Sequence, residues 1–157
     1  MKFSNEGEQI LMGMEGFIEK PTPDLAGHPT IGYGHRIKPG EKFGILTKGS
    51  AILILQDDVK PLENILNTYI PVKLTQNQFD ALIIFMFNIG ITGFLNSTVY
   101  KNVKEDKFEE ATIPWAKWIN ISVYETDPDT GEKKKKLVPV KGLINRRKKE
   151  IELFRRK

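Results

Sequence analysis

Apolar residues recur at helical spacing through Ile10, Leu11, Met14, Phe17 and Ile18, which predicts an amphipathic first helix. Asn5 with Glu8 three residues later reads as its capping box, and Pro21 and Pro23 end it after about Glu19. From about Leu25 to Gly44 the chain is dense in glycine and proline with short alternating pieces. That pattern predicts a small antiparallel sheet turning at Gly34 and at Pro39-Gly40. Thr47 then caps a long helix, Gly49 to about Asn67, with Ile52, Leu53, Leu55, Val59, Leu62, Ile65 and Leu66 on its buried side. Pro61 predicts a kink or a split in it. Thr75 and Gln78 form a second capping box, and the run Phe79 to Ile89 is apolar nearly all round, as in a helix buried mid-lobe. Further helices are expected at about Ser97 to Val103 and Lys107 to Ile119, the latter distorted at Pro114. Ile121 to Thr126 and Leu137 to Val140 alternate on either side of the turn Asp127 to Glu132, which reads as a hairpin.

These elements describe an α+β chain, mostly helical and organised as one domain over residues 1–157. A small N-terminal lobe with a short antiparallel sheet spans about 15–48, and a long helix, about 49–67, connects it to a helical lobe over 68–157 that also packs helix 1–14. A length of 157 residues suffices for one real core or two small lobes sharing a helix. With no cysteine and two separated histidines, no disulfide, no metal and no cofactor is expected. Met1 to Gln9 has no apolar run, so neither a secretory signal, a membrane anchor nor a membrane span is expected.

The candidate chemistry lies between Glu15 and His35. Glu15 sits at the edge of the first helix's apolar stripe, where partial desolvation favours the protonated form that a general acid needs. A surface glutamate closing an amphipathic helix fits the same position. Asp24 follows two prolines in a solvated loop, which suits either an ionised catalytic carboxylate or an Asx-turn residue bonded to its own backbone. Thr30 brings a hydroxyl able to hold a water beside such a carboxylate, although a strand needs no function to contain threonine. Gly32 and Gly34 allow a sharp turn or a close approach to a ligand.

Glu15-Gly16, Asp24 and the run Thr30-Ile31-Gly32-Tyr33-Gly34-His35 resemble the signature of the phage-type lysozymes, the endolysins of T-even and lambdoid phages. The likeness continues through Leu74 to Leu82, Phe85, Phe87-Asn88 and Gly90, through Phe94 to Thr98, and through Gly142-Leu143, Arg146-Arg147 and Glu150. It implies a lysozyme-like fold and hydrolysis of the bond between N-acetylmuramic acid and N-acetylglucosamine in peptidoglycan. Glu15, Asp24 and Thr30 take the catalytic positions, and an inverting mechanism requires carboxyl groups roughly 6.5 to 9.5 Å apart. Gly34, His35 and Ser97 are expected at the substrate. His35 also fits a pairing with Asp57 or Asp58, and Ser97 fits a helix cap equally well. Trp115 and Trp118 suit sugar stacking, with core packing favoured for both. The stretch Ile121 to Val140 departs from the family pattern, where lambdoid members have a short glycine-rich loop. It is expected either to border the cleft or to stand as a solvated decoration.

Charge is uneven. Residues 133–157 carry 12 basic and 2 acidic side chains against 12 and 18 in residues 1–132, about +10 and −6 within the net +4. The basic end suits anionic wall polymers or only a solvated face, and no nucleic-acid motif accompanies it. The expectation is therefore a monomeric enzyme acting on peptidoglycan glycan strands, made in a host cytoplasm and released by a separate, holin-type agent. A catalytically inactive wall-binding relative is the alternative.

Overall fold

The computed structural model describes residues 1–157. Helix α1 (Asn5–Glu15) is capped one residue earlier than the sequence predicts. The Ser4 hydroxyl accepts from the Gly7 N–H at 3.0 Å, and Ser4 itself bonds to the Asp80 carboxylate through both N–H and hydroxyl. The helix also stops four residues sooner than expected. Gly16 takes φ +71 and its N–H donates to the Met12 carbonyl at 3.0 Å, a termination open to glycine, so the prolines do not end the helix.

The chain then enters β1 (Ile18–Pro23), which pairs antiparallel with β2 (Pro29–Gly32), and β2 pairs with β3 (His35–Arg36). The sheet thus begins at Ile18 rather than Leu25. Strand β1 is an edge strand, where prolines are tolerated because one side of it makes no ladder. Tyr33-Gly34 makes the tight turn between β2 and β3, with Gly34 at φ +84. Ile31 is fully buried, and Gly32 packs so closely on α2 (Lys48–Tyr69) that an added Cβ would stand 3.3 Å from the Ala51 Cβ.

Helix α2 opens on Thr47, whose hydroxyl accepts from the Ser50 N–H at 3.2 Å. It runs through Pro61 as one helix, so of the expected kink or split the split does not occur. Pro61 lies on the exposed side, where water can take the carbonyl bond that the ring removes. Leu55, Val59, Leu62 and Leu66 are buried as expected, whereas Leu53 is exposed. Helix α3 (Gln76–Ile89) starts on the complete Thr75–Gln78 capping box and is buried continuously from Phe79 to Met86. Around it pack α1, the short α4 (Ile91–Leu95), which the sequence did not predict, α5 (Thr98–Lys104), α6 (Phe108–Trp115) and α7 (Lys141–Arg155). Helix α6 ends at Trp115 rather than Ile119, because tight turns from Lys117 to Pro114 and from Trp118 to Trp115 replace its last turn. Phe85 lies 4.6 Å from the Trp115 ring, and Phe154 meets Trp115 edge-on at 5.2 Å. Strands β4 (Asn120–Thr126) and β5 (Lys133–Pro139) form the expected hairpin, whose base is closed by Val140 N–H to the Ile119 carbonyl at 2.8 Å. No helix is long and apolar enough to cross a membrane.

His35 ties the small sheet to α2. Its Nδ1 lies 2.8 Å from Asp58, and its Nε2 lies 3.0 Å from Glu41. Of the two aspartates the sequence offered, the structure uses Asp58, and Glu41 is an unforeseen second partner. Burial acts to lower the histidine pKa, but the hydrogen bonds and charges of the two carboxylates outweigh it and raise the pKa above the usual value. A raised folded pKa stabilises the fold fully below the unfolded histidine pKa, and this contribution is lost as pH rises through the folded value. Thermal unfolding of the protein and of His35→Asn should therefore differ more at pH 6 than at pH 9. Equal differences at both pH values would show that the imidazolium charge contributes nothing.

Candidate active site

Glu15 is the last residue of α1, so Gly16 both ends the helix and fixes where this carboxylate emerges. A helix C-terminus repels negative charge. The compensation comes from Arg146 on α7, whose Nη1 lies 2.6 Å from Glu15 Oε1. The approach is not aligned with the N–H direction. Oε1 is thus buried and charge-paired but not hydrogen-bonded. On the other side, a Cβ on Gly34 would stand 2.8 Å from Glu15 Oε2, so the Tyr33-Gly34 turn leaves room for the carboxylate only because residue 34 has no side chain.

Arg146 is itself held. Its Nε donates to Glu150 Oε1 at 3.0 Å and its Nη2 to the Ile84 carbonyl at 3.3 Å. Glu150 is completely buried and also accepts from Arg147 Nη2 at 2.9 Å and from the Trp115 indole N–H at 2.9 Å. Arg147 in turn donates to Asn88 Oδ1 at 2.7 Å and lies 5.0 Å above the Phe85 ring. Burial pushes the Glu150 carboxyl up and the Arg147 guanidinium down, while their mutual attraction acts in the opposite sense on each.

Asp24 makes the Asx-turn that the sequence offered, and it does so at the edge of the cleft. Its Oδ1 accepts from the N–H groups of Ala26 at 2.9 Å and His28 at 2.8 Å, which is Asx-turn geometry, and Oδ2 lies 3.7 Å from Arg36. Burial acts to raise its pKa. The two backbone donors, with the charges of His28 and Arg36, outweigh that and hold the carboxyl below the ordinary aspartate range. Thr30 is placed by its register opposite Thr22, to whose carbonyl its hydroxyl donates at 2.8 Å. The hydroxyl lone pairs remain free to accept from a water.

Glu15, Asp24, Thr30 and Gly34 line one cleft with a volume of about 670 Å³. The small lobe supplies one wall with Pro23 to Ala26, Thr30 and Arg36. The helical lobe supplies the other with Phe87 to Ile89, Trp118, Asn120, Ile121, Leu143 and Arg147. Two residues expected at the substrate lie elsewhere. His35 is buried with both ring nitrogens engaged, and Ser97 is buried as the cap of α5, accepting from the Tyr100 N–H at 3.0 Å and donating to the Phe94 carbonyl at 2.7 Å. Neither borders the cleft, so the geometry gives neither a sugar contact. The tryptophans divide: Trp115 is fully buried, while Trp118 is half-buried and reaches the cleft. No group of three or more His, Cys, Asp or Glu side chains is arranged so that it could hold a metal ion.

Arg146, Arg147, Glu150 and Asn88 support the site without having been assigned a role from sequence. The available signal was spacing: Glu150 stands four and three residues after the two arginines, which puts all three on neighbouring rows of one helix. Among so many lysines that pattern reads as a solvated basic face. Removing one partner of a buried ion pair strands the others without solvent and costs about 3–5 kcal/mol. Urea unfolding of Glu150→Ala should show a loss of that size, and a loss below about 1 kcal/mol would mean that the network does not brace the helical lobe.

The sequence profile of the family described as Phage lysozyme matches residues 12–150. The chain is 34% identical over 156 residues to an endolysin of Acyrthosiphon pisum secondary endosymbiont phage 1, an alignment covering 98% of each chain. Among solved structures, the muramidase domain of SpmX from Asticaccaulis excentricus superposes with a TM-score of 0.83 at 31% identity, covering 99% of both chains. An endolysin from Escherichia coli O157:H7 phage FAHEc1 gives 0.82 at 32%, covering 99% of this chain and 94% of that one. Cleft, sheet, helical lobe and sequence therefore converge on one conclusion: the chain belongs to the phage lysozyme family.

Proposed function

We propose that this protein, a wall-lytic lysozyme by family, hydrolyses the β-1,4 bond between N-acetylmuramic acid and N-acetylglucosamine in one inverting step. The observation that carries the proposal is the meeting of Glu15, Asp24 and Thr30 in a single sugar-sized cleft, the first from α1 and the others from the small sheet and its loop. Glu15 donates its proton to the glycosidic oxygen as the C–O bond breaks. A water held by Thr30 and Asp24 attacks the anomeric carbon from the opposite face and gives up its proton to Asp24. The Asp24 charge also stabilises the oxocarbenium character of the transition state. Arg146 orients Glu15 from outside the reaction.

The substrate is the glycan of peptidoglycan. Against an inactive wall-binding relative stands the packing of the Glu15 carboxylate on Gly34 in the same cleft as an aspartate whose carboxyl is held below its ordinary range.

Removing a positioned general acid costs roughly 10²–10⁴-fold in rate. Glu15→Gln at equal folded concentration should lose at least a hundredfold of its clearing rate on purified peptidoglycan. Full activity of that variant would reject Glu15 as the acid. Gly34→Ala inserts a methyl against Glu15 Oε2 and strains a left-handed backbone position by about 1–2 kcal/mol. It should clear peptidoglycan at least tenfold more slowly while remaining folded by circular dichroism, and an unchanged rate would show that the Glu15 position is not sterically set.

A further inference from the structure

The hairpin β4–β5 enters none of the chemistry above, yet its root forms part of the cleft wall. Trp118, Asn120 and Ile121 line the cavity there. The indole of Trp118 is braced on its inner side by Phe85, with ring centroids 6.0 Å apart and planes at 84°. Its backbone carbonyl is held by Arg147 Nη1 at 3.4 Å. Trp115, three residues earlier, is unavailable to any ligand because it is fully buried with its N–H on Glu150. Asn120 is exposed, and its side-chain amide makes no hydrogen bond within the protein. Leu25, contributed to the same cleft by the small lobe, stands 85% exposed.

A braced aromatic ring, an adjacent free amide and an aliphatic side chain in the same cleft match an amphipathic pyranose. Such a ring presents C–H groups on its faces and hydroxyl or acetamido groups around its rim. We infer that Trp118, Asn120 and Ile121 form a sugar-binding wall that seats one N-acetylated pyranose of the glycan away from the bond being cleaved. The inference rests on the proposed muramidase reading and deepens it. Trp118 supplies the stacking face, Asn120 bonds a rim amide or hydroxyl, and Ile121 with Leu25 closes on the apolar side. The wall contributes binding and takes no part in proton transfer.

The chain has two tryptophans and one of them is buried, so emission changes on ligand binding report Trp118. The probe is a peptide-free tetrasaccharide of alternating N-acetylglucosamine and N-acetylmuramic acid, added to Glu15→Gln protein so that it stays intact. Saturable quenching or a blue shift is expected. Adding Asn120→Ala should weaken the binding about threefold to tenfold, the range of one lost hydrogen bond. In the otherwise active enzyme, Asn120→Ala should raise KM on peptide-free glycan by a similar factor and leave kcat unchanged. Trp118→Phe should abolish the emission change and also weaken binding, with Asn120→Ala deciding the matter should that variant unfold.

Calorimetric binding with silent emission and no effect of Asn120→Ala overturns the wall assignment. So does a failure of the tetrasaccharide to bind folded Glu15→Gln protein while the unsubstituted protein clears peptidoglycan, an outcome that leaves the muramidase reading standing. Glu15→Gln protein that does not bind the tetrasaccharide, together with unsubstituted protein that does not clear peptidoglycan, overturns both.

Discussion

The arrangement depends on a carboxylate that never meets solvent. Glu150 gathers Arg146, Arg147 and the Trp115 indole around itself at 2.9–3.0 Å, and through Arg146 it reaches Glu15 on the far side of the chain. Buried charges of this kind add little net stability compared with apolar packing, but their geometry is unforgiving. Here that rigidity has a use. Glu15 ends a helix whose dipole repels it, and a guanidinium anchored by a second carboxylate is what holds it facing the cleft.

Asp24 and Thr30, in the same cleft, are held by different means. Asp24 is fixed by two backbone N–H groups within its own loop, and Thr30 by a carbonyl across the sheet. Neither depends on the α7 network. One carboxylate therefore takes its position from long-range ion pairing and the other from local turn chemistry, which places two carboxyl groups in distinct surroundings in one cleft. The His35 bridge to Asp58 and Glu41 connects this local unit to α2 without entering the cleft. Its pH response bears on stability and not on the chemistry.

Local rules made much of this legible in the sequence. The Thr75–Gln78 box, the Thr47 cap, the apolar run of α3 and the turn of the hairpin are all signals that lie within a few residues of their effect. The misreadings have a common origin. Phe17 and Ile18 continue the helical spacing past Glu15, so periodicity carried α1 too far, whereas the backbone turned at Gly16. Pro61 reads as a kink or a split, but the helix is not split there, because Pro61 falls on the solvent side, where water can take the carbonyl left without its bond. The spacing of the Glu15, Asp24 and Thr30 set that lines the cleft was legible through family resemblance. Its support was not, because Arg146 and Glu150 lie more than a hundred residues from Glu15 and read there as part of a basic surface. Ser97 shows the converse, a residue whose capping role, open in the sequence, is the one the structure uses.

The central claim is that a proton donor and a water-holding pair act within one cleft in a single displacement. The most direct measurement is the anomeric configuration of the newly formed reducing end, followed by proton NMR in the first minutes of glycan cleavage before mutarotation. A one-step attack by water on a β-linked sugar predicts the α anomer first. Initial release of the β anomer would require a covalent intermediate and two displacements, and would contradict the roles given to Asp24 and Thr30.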